Sequence, residues 1–324
     1  MADQVRPIAR GIDYIDMTRN VGGVDTRMHI VRIQTAVTPC VIGSQLNPPS
    51  PRPDPNAPIY HRRLNANLRS SIQGVMVLPH LRSNSYAIQY QGKLTRLQPI
   101  WISNGILFGD AGNPSSRIYG PVVQKGVAEV DVTAGLVGGV KGEGVIRRAY
   151  THHKRTLPRE LVNFTQNSQS NPPLSASAMA SRDTEVIGGG GMLIEEESAH
   201  GTAFWNSVTG EKFDSGVWGT CGPVIARSSD LPFPVYYMIL CENRRVTWQG
   251  MTPYLMNSFP GDVDAARGKR SASRRIHNAV VYDGGDSRQV WIARQSPEVR
   301  YLAQPRRNPD KNKVPHYICV WALI

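Results

Sequence analysis

The sequence is short of cysteine and of long apolar runs. Only 4 of its 324 residues are cysteine, and no two stand in the Cys-x-x-Cys spacing of a metal site or in a dense disulfide framework. No apolar run approaches the roughly 20 residues that a membrane-spanning helix needs. The first residues, Met1–Arg6, lack the apolar core of a signal peptide. We therefore expect no metal site and no membrane association, and a cytoplasmic or virion-associated location. The cofactor, if any, is left unknown.

Helical periodicity is also scarce, whereas turn residues are abundant. Hydrophobic residues make up 40% of the chain and charged residues 19%, which is typical of a globular protein, and there are 30 glycines and 24 prolines. This pattern predicts an α+β fold, as a β-rich single domain with mixed sheets and a few short helices. A proline-rich stretch at residues 47–58 suggests a division into an N-terminal β unit with a proline-rich arm, residues 1–60, and a main domain, residues 61–324.

The chain is strongly basic, with a formal net charge of +12. Such a charge favours phosphate-bearing partners, and it is compatible with nucleic acid, with an acidic partner, or with a merely solvated surface. No RNA-recognition signature, zinc-finger spacing or basic zipper accompanies it. The charge alone therefore leaves the partner open.

The most informative stretch is Asp283-Gly284-Gly285-Asp286-Ser287. It follows an apolar run that predicts a buried strand, Ala279–Tyr282, and precedes a second β-rich run, Gln289–Ala293. Two adjacent glycines let the backbone turn sharply and let another group approach closely. The stretch therefore delivers two carboxylates and a hydroxyl to the rim of a sheet, where catalytic groups often lie. The alternative is an ordinary β-hairpin with an Asp-Gly turn.

A second polar interruption is Asn104-Gly105, within the apolar run Pro99–Phe108. A buried amide must find hydrogen-bond partners. Asn104 therefore either holds a bulge in the strand or points into a site.

Further along, the sequence predicts a hairpin, a helix start and a linker. The hairpin joins a strand at 233–241 to a strand at 246–248. Thr252 is the expected N-cap of the helix, with Pro253 as its first residue. Residues 260–275 are expected to form a charged linker.

In this order the blocks resemble the phosphodiester glycosidase family. The resemblance rests on the Asn104-Gly105 strand, the glycine segment 188–194, the predicted hairpin and helix start, and the last block, 279–287. It covers roughly residues 95–295. Two positions depart from the family's pattern: Asp286 replaces the third glycine of the last block, and Arg288 replaces a small hydroxyl residue.

The resemblance implies a hydrolase that cleaves a glycosidic bond to a phosphodiester in a sugar-phosphate or nucleotide ligand. Asp283 is then the catalytic carboxylate and Asp286 the second carboxylate, whose repulsion would raise one of the two pKa values. Ser287 and Asn104 would orient the substrate. The remaining predicted binding residues are Gly284, Gly285, Gly105, Thr252 and one of two arginines, Arg227 or Arg288.

Two other functions remain open at this point. One is a non-enzymatic viral or assembly protein with a basic surface for nucleic acid or another partner, in line with a possible homo-oligomer. The other is a protein that binds a sugar-phosphate or nucleotide without cleaving it.

Overall fold

The structure is a computed structural model. It describes residues 3–46, 85–105, 108–110, 113–118, 122–124, 127–130, 150–154, 163–166, 185–199, 219–230, 234–270, 274–293, 299–302, 314 and 316–324. The proline-rich stretch at 47–58 and the boundary predicted at residue 60 lie outside these residues, so the division into two units stays a prediction. The strands before that boundary are nevertheless part of both sheets described below.

Strands dominate the described chain, and every pairing between them is antiparallel. The strands before residue 131 are β1 Gln4–Ala9, β2 Ile12–Val21, β3 Val24–Gln34, β4 Cys40–Leu46, β5 Tyr86–Tyr90, β6 Lys93–Asn104, β7 Phe108–Asp110, β8 Asn113–Ile118, β9 Val122–Gln124 and β10 Val127–Val130. Those after it are β11 Tyr150–Lys154, β12 Asn163–Gln166, β13 Glu185–Glu195, β14 Ser198–Ala199, β15 Val224–Ser228, β16 Val235–Cys241, β17 Ile276–Val281, β18 Gln289–Ile292, β19 Val299–Leu302 and β20 His316–Ala322.

Within the described part of the chain these strands form two main sheets. A 12-stranded sheet runs in the order β1-β2-β3-β16-β15-β17-β13-β11-β12, with β9, β10 and β14 attached beside β13. A 6-stranded sheet runs β19-β18-β6-β20-β4, with β5 beside β6. The strands β7 and β8 pair only with each other among the described residues. The β-rich fold predicted from the sequence is confirmed.

Two short helices interrupt the β structure in the described residues, α1 Trp248–Asn257 and α2 Phe259–Ala266. They follow β16 and lie against the large sheet, where the ring of Phe259 meets the ring of Tyr237 edge-on at 5.1 Å between centroids. The buried side chains of both sheets and of the helices form one continuous apolar core. Burial of that much apolar surface is the main force that stabilises the fold.

Each sheet contributes to the burial of two thiols. Cys40 and Cys319 belong to the small sheet, whereas Cys241 ends β16 and Cys221 precedes β15 in the large sheet. All four thiols are buried. Burial raises the pKa of Cys221 and raises that of Cys241 to about 12, so both remain protonated at neutral pH.

Three local predictions were wrong. No strand forms at 246–248, because Thr247 makes only an isolated bridge to Thr220 and α1 begins at Trp248. Thr247 rather than Thr252 is the N-cap, and its hydroxyl accepts a hydrogen bond from the Gly250 N–H at 3.2 Å. The predicted linker at 260–275 is helical as far as Ala266.

Register gives the large sheet two chemically different ends. Strand β17 runs from Ile276 to Val281, and its six residues span about 17 Å. We call the end at Val281 the loop end, because the Asp283 stretch follows it and β16 also finishes there. We call the end at Ile276 the cationic end.

Candidate active site at the junction of the two sheets

The Asp283 stretch crosses from one sheet to the other. Strand β17 belongs to the large sheet, but β18, which begins at Gln289, pairs with β6 and β19 of the small sheet. Between them the chain forms a single turn of 3₁₀ helix, Gly285–Ser287. The ordinary hairpin considered from the sequence is therefore not what forms. We call residues 282–288 the crossing loop.

Asn104 holds the crossing loop at both ends. Its side chain is completely buried at the end of β6. Its Nδ2 donates to the carbonyl oxygen of Asp283 at 2.6 Å, and its Oδ1 accepts from the N–H of Gln289 at 3.0 Å. The strand ends at Asn104 rather than bulging there. The expectation that this amide must find partners is confirmed, and both partners are backbone groups, one in the crossing loop at Asp283 and the other just after it at Gln289.

Backbone contacts fix the loop on its other sides. The N–H of Asp283 donates to the carbonyl of Gly105 at 3.0 Å, and the N–H of Tyr282 donates to the carbonyl of Pro223 at 2.8 Å. A Cβ at Gly222 would overlap the carbonyl oxygen of Asp283, and a Cβ at Gly284 would overlap that of Thr220. Both segments that meet there therefore require glycine, one at Gly222 and the other at Gly284.

Gly105 is likewise needed for packing. A Cβ there would overlap the imidazole of His316, whose carbonyl accepts from the Gly105 N–H at 3.1 Å. Burial lowers the pKa of His316 to about 3, so its ring is neutral. Gly105 thus lets the small sheet approach the crossing loop closely.

The side chain of Asp283 is only partly buried, yet the pKa of its carboxyl group is strongly shifted. Burial raises its pKa to about 7, although hydrogen bonds from the Ser287 side chain and the Gly284 backbone act in the opposite direction. A carboxyl with a pKa near neutrality can take up or release a proton under physiological conditions. This is the chemistry expected of a catalytic acid or base.

Arg288 holds the crossing loop against the end of β16. It is 2% exposed, and its Nε donates to the carbonyl of Gly285 at 2.9 Å. Its Nη1 donates to the carbonyls of Cys241 at 2.8 Å and Glu242 at 3.0 Å. The guanidinium therefore links the crossing loop to the end of β16, and these contacts engage it with the backbone.

The other predicted residues lie elsewhere or are less fully described. Arg227 pairs in register with Asn278, three residues before the end of β17, so its backbone is at least about 10 Å from that of Asp283. Thr252 lies inside α1, where its hydroxyl donates to the carbonyl of Trp248 at 3.0 Å. Asp286 belongs to the 3₁₀ turn, but its side chain is outside the described part of the structure.

A polar network at the loop end was missed from the sequence. The hydroxyl of Tyr14 lies 2.9 Å from Nδ1 of His29, and Nε2 of His29 lies 2.8 Å from Oε1 of Glu242. Asp16 is held by two hydrogen bonds from Arg27, at 2.8 and 2.6 Å. Burial opposes the ionisation of Asp16, but these bonds hold its pKa below the ordinary value. The one available signal was a histidine inside the apolar run Met28–Ile33.

This network contacts the crossing loop through the backbone carbonyl of Glu242 and the side chain of Arg288. The carbonyl of Glu242 accepts hydrogen bonds from Arg288 and, at 2.7 Å, from the hydroxyl of Tyr301. The two clusters are therefore neighbours at the loop end of the large sheet.

No group of three or more histidine, cysteine, aspartate or glutamate side chains among the described residues is arranged to hold a metal ion. Within the same ranges no helix has the length and hydrophobicity to cross a membrane.

Comparison with known proteins gives only distant structural likenesses. No protein-family model and no curated protein matches the chain. The catalytic domain of zebrafish N-acetylglucosamine-1-phosphodiester alpha-N-acetylglucosaminidase has a TM-score of 0.44 at 12% identity, over 99% of this chain and 88% of that one. A hypothetical protein from Synechocystis has a TM-score of 0.36 at 13% identity, over 98% and 64% of the two chains.

A third structure, of a Burkholderia pseudomallei protein, has a TM-score of 0.33 at 11% identity, over 93% of this chain and 75% of that one. These likenesses are weak and concern the fold alone. They assign no family, so an argument about function depends on the geometry of this chain.

Proposed function

We propose that the crossing loop is the active site of a hydrolase that cleaves a glycosidic bond to a phosphodiester, with Asp283 as its catalytic carboxylate. The observation that carries this proposal is the carboxyl of Asp283, whose pKa burial raises to about 7 on a loop fixed by Asn104 and Gly105. A group held so firmly needs little reorganisation during a reaction.

The bond to be broken determines the role of this carboxyl. A phosphodiester is an acidic leaving group and departs with little help from protonation, unlike an ordinary sugar hydroxyl. The group that needs help is the attacking water. We therefore assign Asp283 as a general base: the water oxygen bonds to the anomeric carbon, the carbon–oxygen bond to the phosphate breaks with its electrons, and the water's proton passes to Asp283.

The remaining loop residues have positioning roles in this proposal. Ser287 hydrogen-bonds to the carboxyl and orients it, and Gly285, where an added Cβ would meet no atom within 4 Å, leaves the loop backbone open to a ligand. Asn104 is a positioning residue, since its amide nitrogen bonds the backbone of Asp283 and its amide oxygen bonds the backbone of Gln289, the residue that follows the loop. The proposal gives no phosphate-binding role to Arg227 or Arg288, because of where their guanidinium groups lie.

The test is turnover of a panel of sugar phosphodiesters and nucleotide sugars. We expect wild-type protein to release the sugar, with a rate that rises as the pH increases through about 7, because the base must be ionised. Asp283→Asn should abolish release. The matched control is Asp25→Asn, which makes the same chemical change at an exposed position of the same end of the sheet and should retain full activity.

Two outcomes contradict the proposal. If Asp283→Asn turns over at the wild-type rate, Asp283 is not the base. If wild type binds a panel member, measured as a rise in melting temperature, but releases no sugar at any pH, then binding without cleavage is the correct function.

A further inference from the structure

The cationic end of the large sheet carries a group of basic side chains. It is formed by the β1–β2 turn, the ends of β3 and β15, the start of β17, and the segment that follows α2. Its described surface cations are Arg10, Arg267, Lys269, Arg270, Arg274 and Arg275.

Some of these cations are fixed by carboxylates. Nε of Arg267 lies 3.0 Å from Oδ2 of Asp13, and Nε of Arg274 lies 2.6 Å from Oδ2 of Asp230. Both arginines are half-buried. They anchor residues 267 and 274 to the body of the protein.

A further positive charge lies beneath this surface. Arg32 is 2% exposed, and its Nε and Nη1 have no hydrogen-bond partner among the described residues. Its Nη1 is 3.6 Å from Oδ2 of Asp13, the oxygen that Arg267 already uses. One carboxylate is thus shared by two guanidinium groups, of which Arg267 also lies near Asp264, with 3.9 Å between its Nη1 and Oδ1. Among the described residues Arg32 has only the shared carboxylate as an ionic partner.

The outermost of the described cations have no carboxylate partner in the part of the chain that the structure describes. Arg10, Lys269 and Arg270 are exposed and form no ion pair with any of the described residues. The Lys269 backbone is nevertheless fixed, because its N–H donates to the carbonyl of Asp264 at 2.8 Å. The charges of Lys269 and Arg270 are therefore presented from an ordered point of the fold.

We propose that the cationic end binds the phosphodiester backbone of nucleic acid without reading its sequence. Lysine and arginine bind phosphate oxygens well, and such contacts position a nucleic acid but carry no sequence information. Reading of single-stranded bases usually depends on exposed aromatic side chains. Among the described residues the exposed large apolar side chains are Leu94 and Leu323, so no aromatic platform lies there. This function is separate from the chemistry proposed at Asp283, at the other end of the sheet.

The experiment measures binding of a labelled DNA duplex by fluorescence anisotropy, with two double variants. Lys269→Glu/Arg270→Glu reverses two exposed charges at the cationic end. Arg244→Glu/Arg245→Glu reverses two exposed charges at the loop end, just beyond β16, and changes the net charge equally.

For wild type we expect the logarithm of affinity to fall linearly with the logarithm of salt concentration. The cationic-end variant should lose about tenfold or more in affinity at moderate salt, and its salt slope should be shallower by about 2, since two phosphate contacts are lost. The loop-end variant should lose less than about threefold and keep the wild-type slope. Circular dichroism and melting temperature should show all three proteins folded.

Equal loss in both double variants would mean that net charge alone attracts the DNA, and it would overturn the proposal. No measurable binding by wild type at low salt would do the same. Competition by polyglutamate at a concentration equal in charge to the DNA would identify an acidic protein partner instead. Asp283→Asn should bind DNA as wild type does, so failure of the catalytic assignment leaves this result unaffected.

Discussion

Replacement of Asp283 by asparagine should stabilise the folded protein at neutral and alkaline pH. The pKa of this carboxyl rises from an ordinary 3.8 to about 7 on folding, chiefly because burial disfavours its charged form. Asparagine has nearly the same shape and carries no charge at any pH. Its side-chain oxygen also keeps an acceptor for the hydrogen bonds from Ser287 and Gly284.

The sign and size of the effect follow from proton linkage. Between about pH 4 and pH 7 the folded state holds a proton on Asp283 that the unfolded state has lost, so the free energy of unfolding falls as the pH rises through this window. A shift of about 3 pKa units corresponds to about 4 kcal/mol at most. Since the side chain keeps some contact with solvent, we expect Asp283→Asn to gain about 2–3 kcal/mol near pH 8, and less near pH 5.

Urea unfolding followed by circular dichroism measures this difference. Wild type and Asp283→Asn are compared at about pH 5, 6, 7 and 8, with Asp25→Asn as the matched control. Other titrating carboxylates, such as Asp16 with its lowered pKa, contribute equally to all three proteins and cancel in the differences. If the free energy of unfolding of Asp283→Asn does not exceed that of wild type, or if the difference does not grow with pH, the raised pKa assigned to this partly buried carboxyl is refuted.

Three further changes test the architecture of the site. Asn104→Ala should lower the free energy of unfolding by about 2–5 kcal/mol in urea, because it leaves two buried backbone groups unpaired; a loss below about 1 kcal/mol would contradict this. Gly222→Ala should reduce both stability and sugar release, since the new methyl group displaces the carbonyl of Asp283; wild-type turnover would show that the loop adapts freely. Thr247→Ala should cost about 1 kcal/mol as the loss of an N-cap, and more than Thr252→Ala; the reverse order would restore the N-cap to Thr252.

The strands of the core were predictable from the sequence because their burial leaves a clear pattern. The runs at 235–241 and 279–281 are apolar at every position, as strands covered on both faces must be. The demand of Asn104 for partners was predictable on the same grounds, since a polar group in an apolar run has no water available.

The path of the chain after Asp283 was not predictable in this way. An Asp-Gly pair indicates a turn, but it does not determine which strand the next segment will join. That choice depends on the pairing of β18 with β6, which is nearly 190 residues away in the sequence. Local signals therefore favoured a hairpin where the fold has a crossing between sheets.

The predicted start of α1 was wrong for a related reason. Thr252-Pro253 has the composition of a helix start, but Thr247 lies five residues earlier and forms an isolated bridge with Thr220. Helix formation from Trp248 is favoured because the N–H of Trp248 donates to the carbonyl of Gly219 at 2.8 Å. A contact between distant segments thus overrides a sound local pattern.

The network around His29 was not predicted from the sequence, because its members are far apart along the chain. Its members come from β2, from β3 and from the residue after β16, and only register brings them together. Apart from the histidine inside the apolar run at 28–33, neither the spacing nor the composition of any one segment indicates it.

The four buried thiols can serve as natural probes of local unfolding in this protein. A buried thiol reacts with an alkylating reagent only when its surroundings open, so its labelling rate measures local unfolding. Cys40 and Cys319 report on the small sheet, and Cys221 and Cys241 on the large sheet beside the crossing loop. Mass spectrometry of a labelling time course would therefore show, without any added probe, whether the two sheets separate at the crossing loop or unfold as one unit.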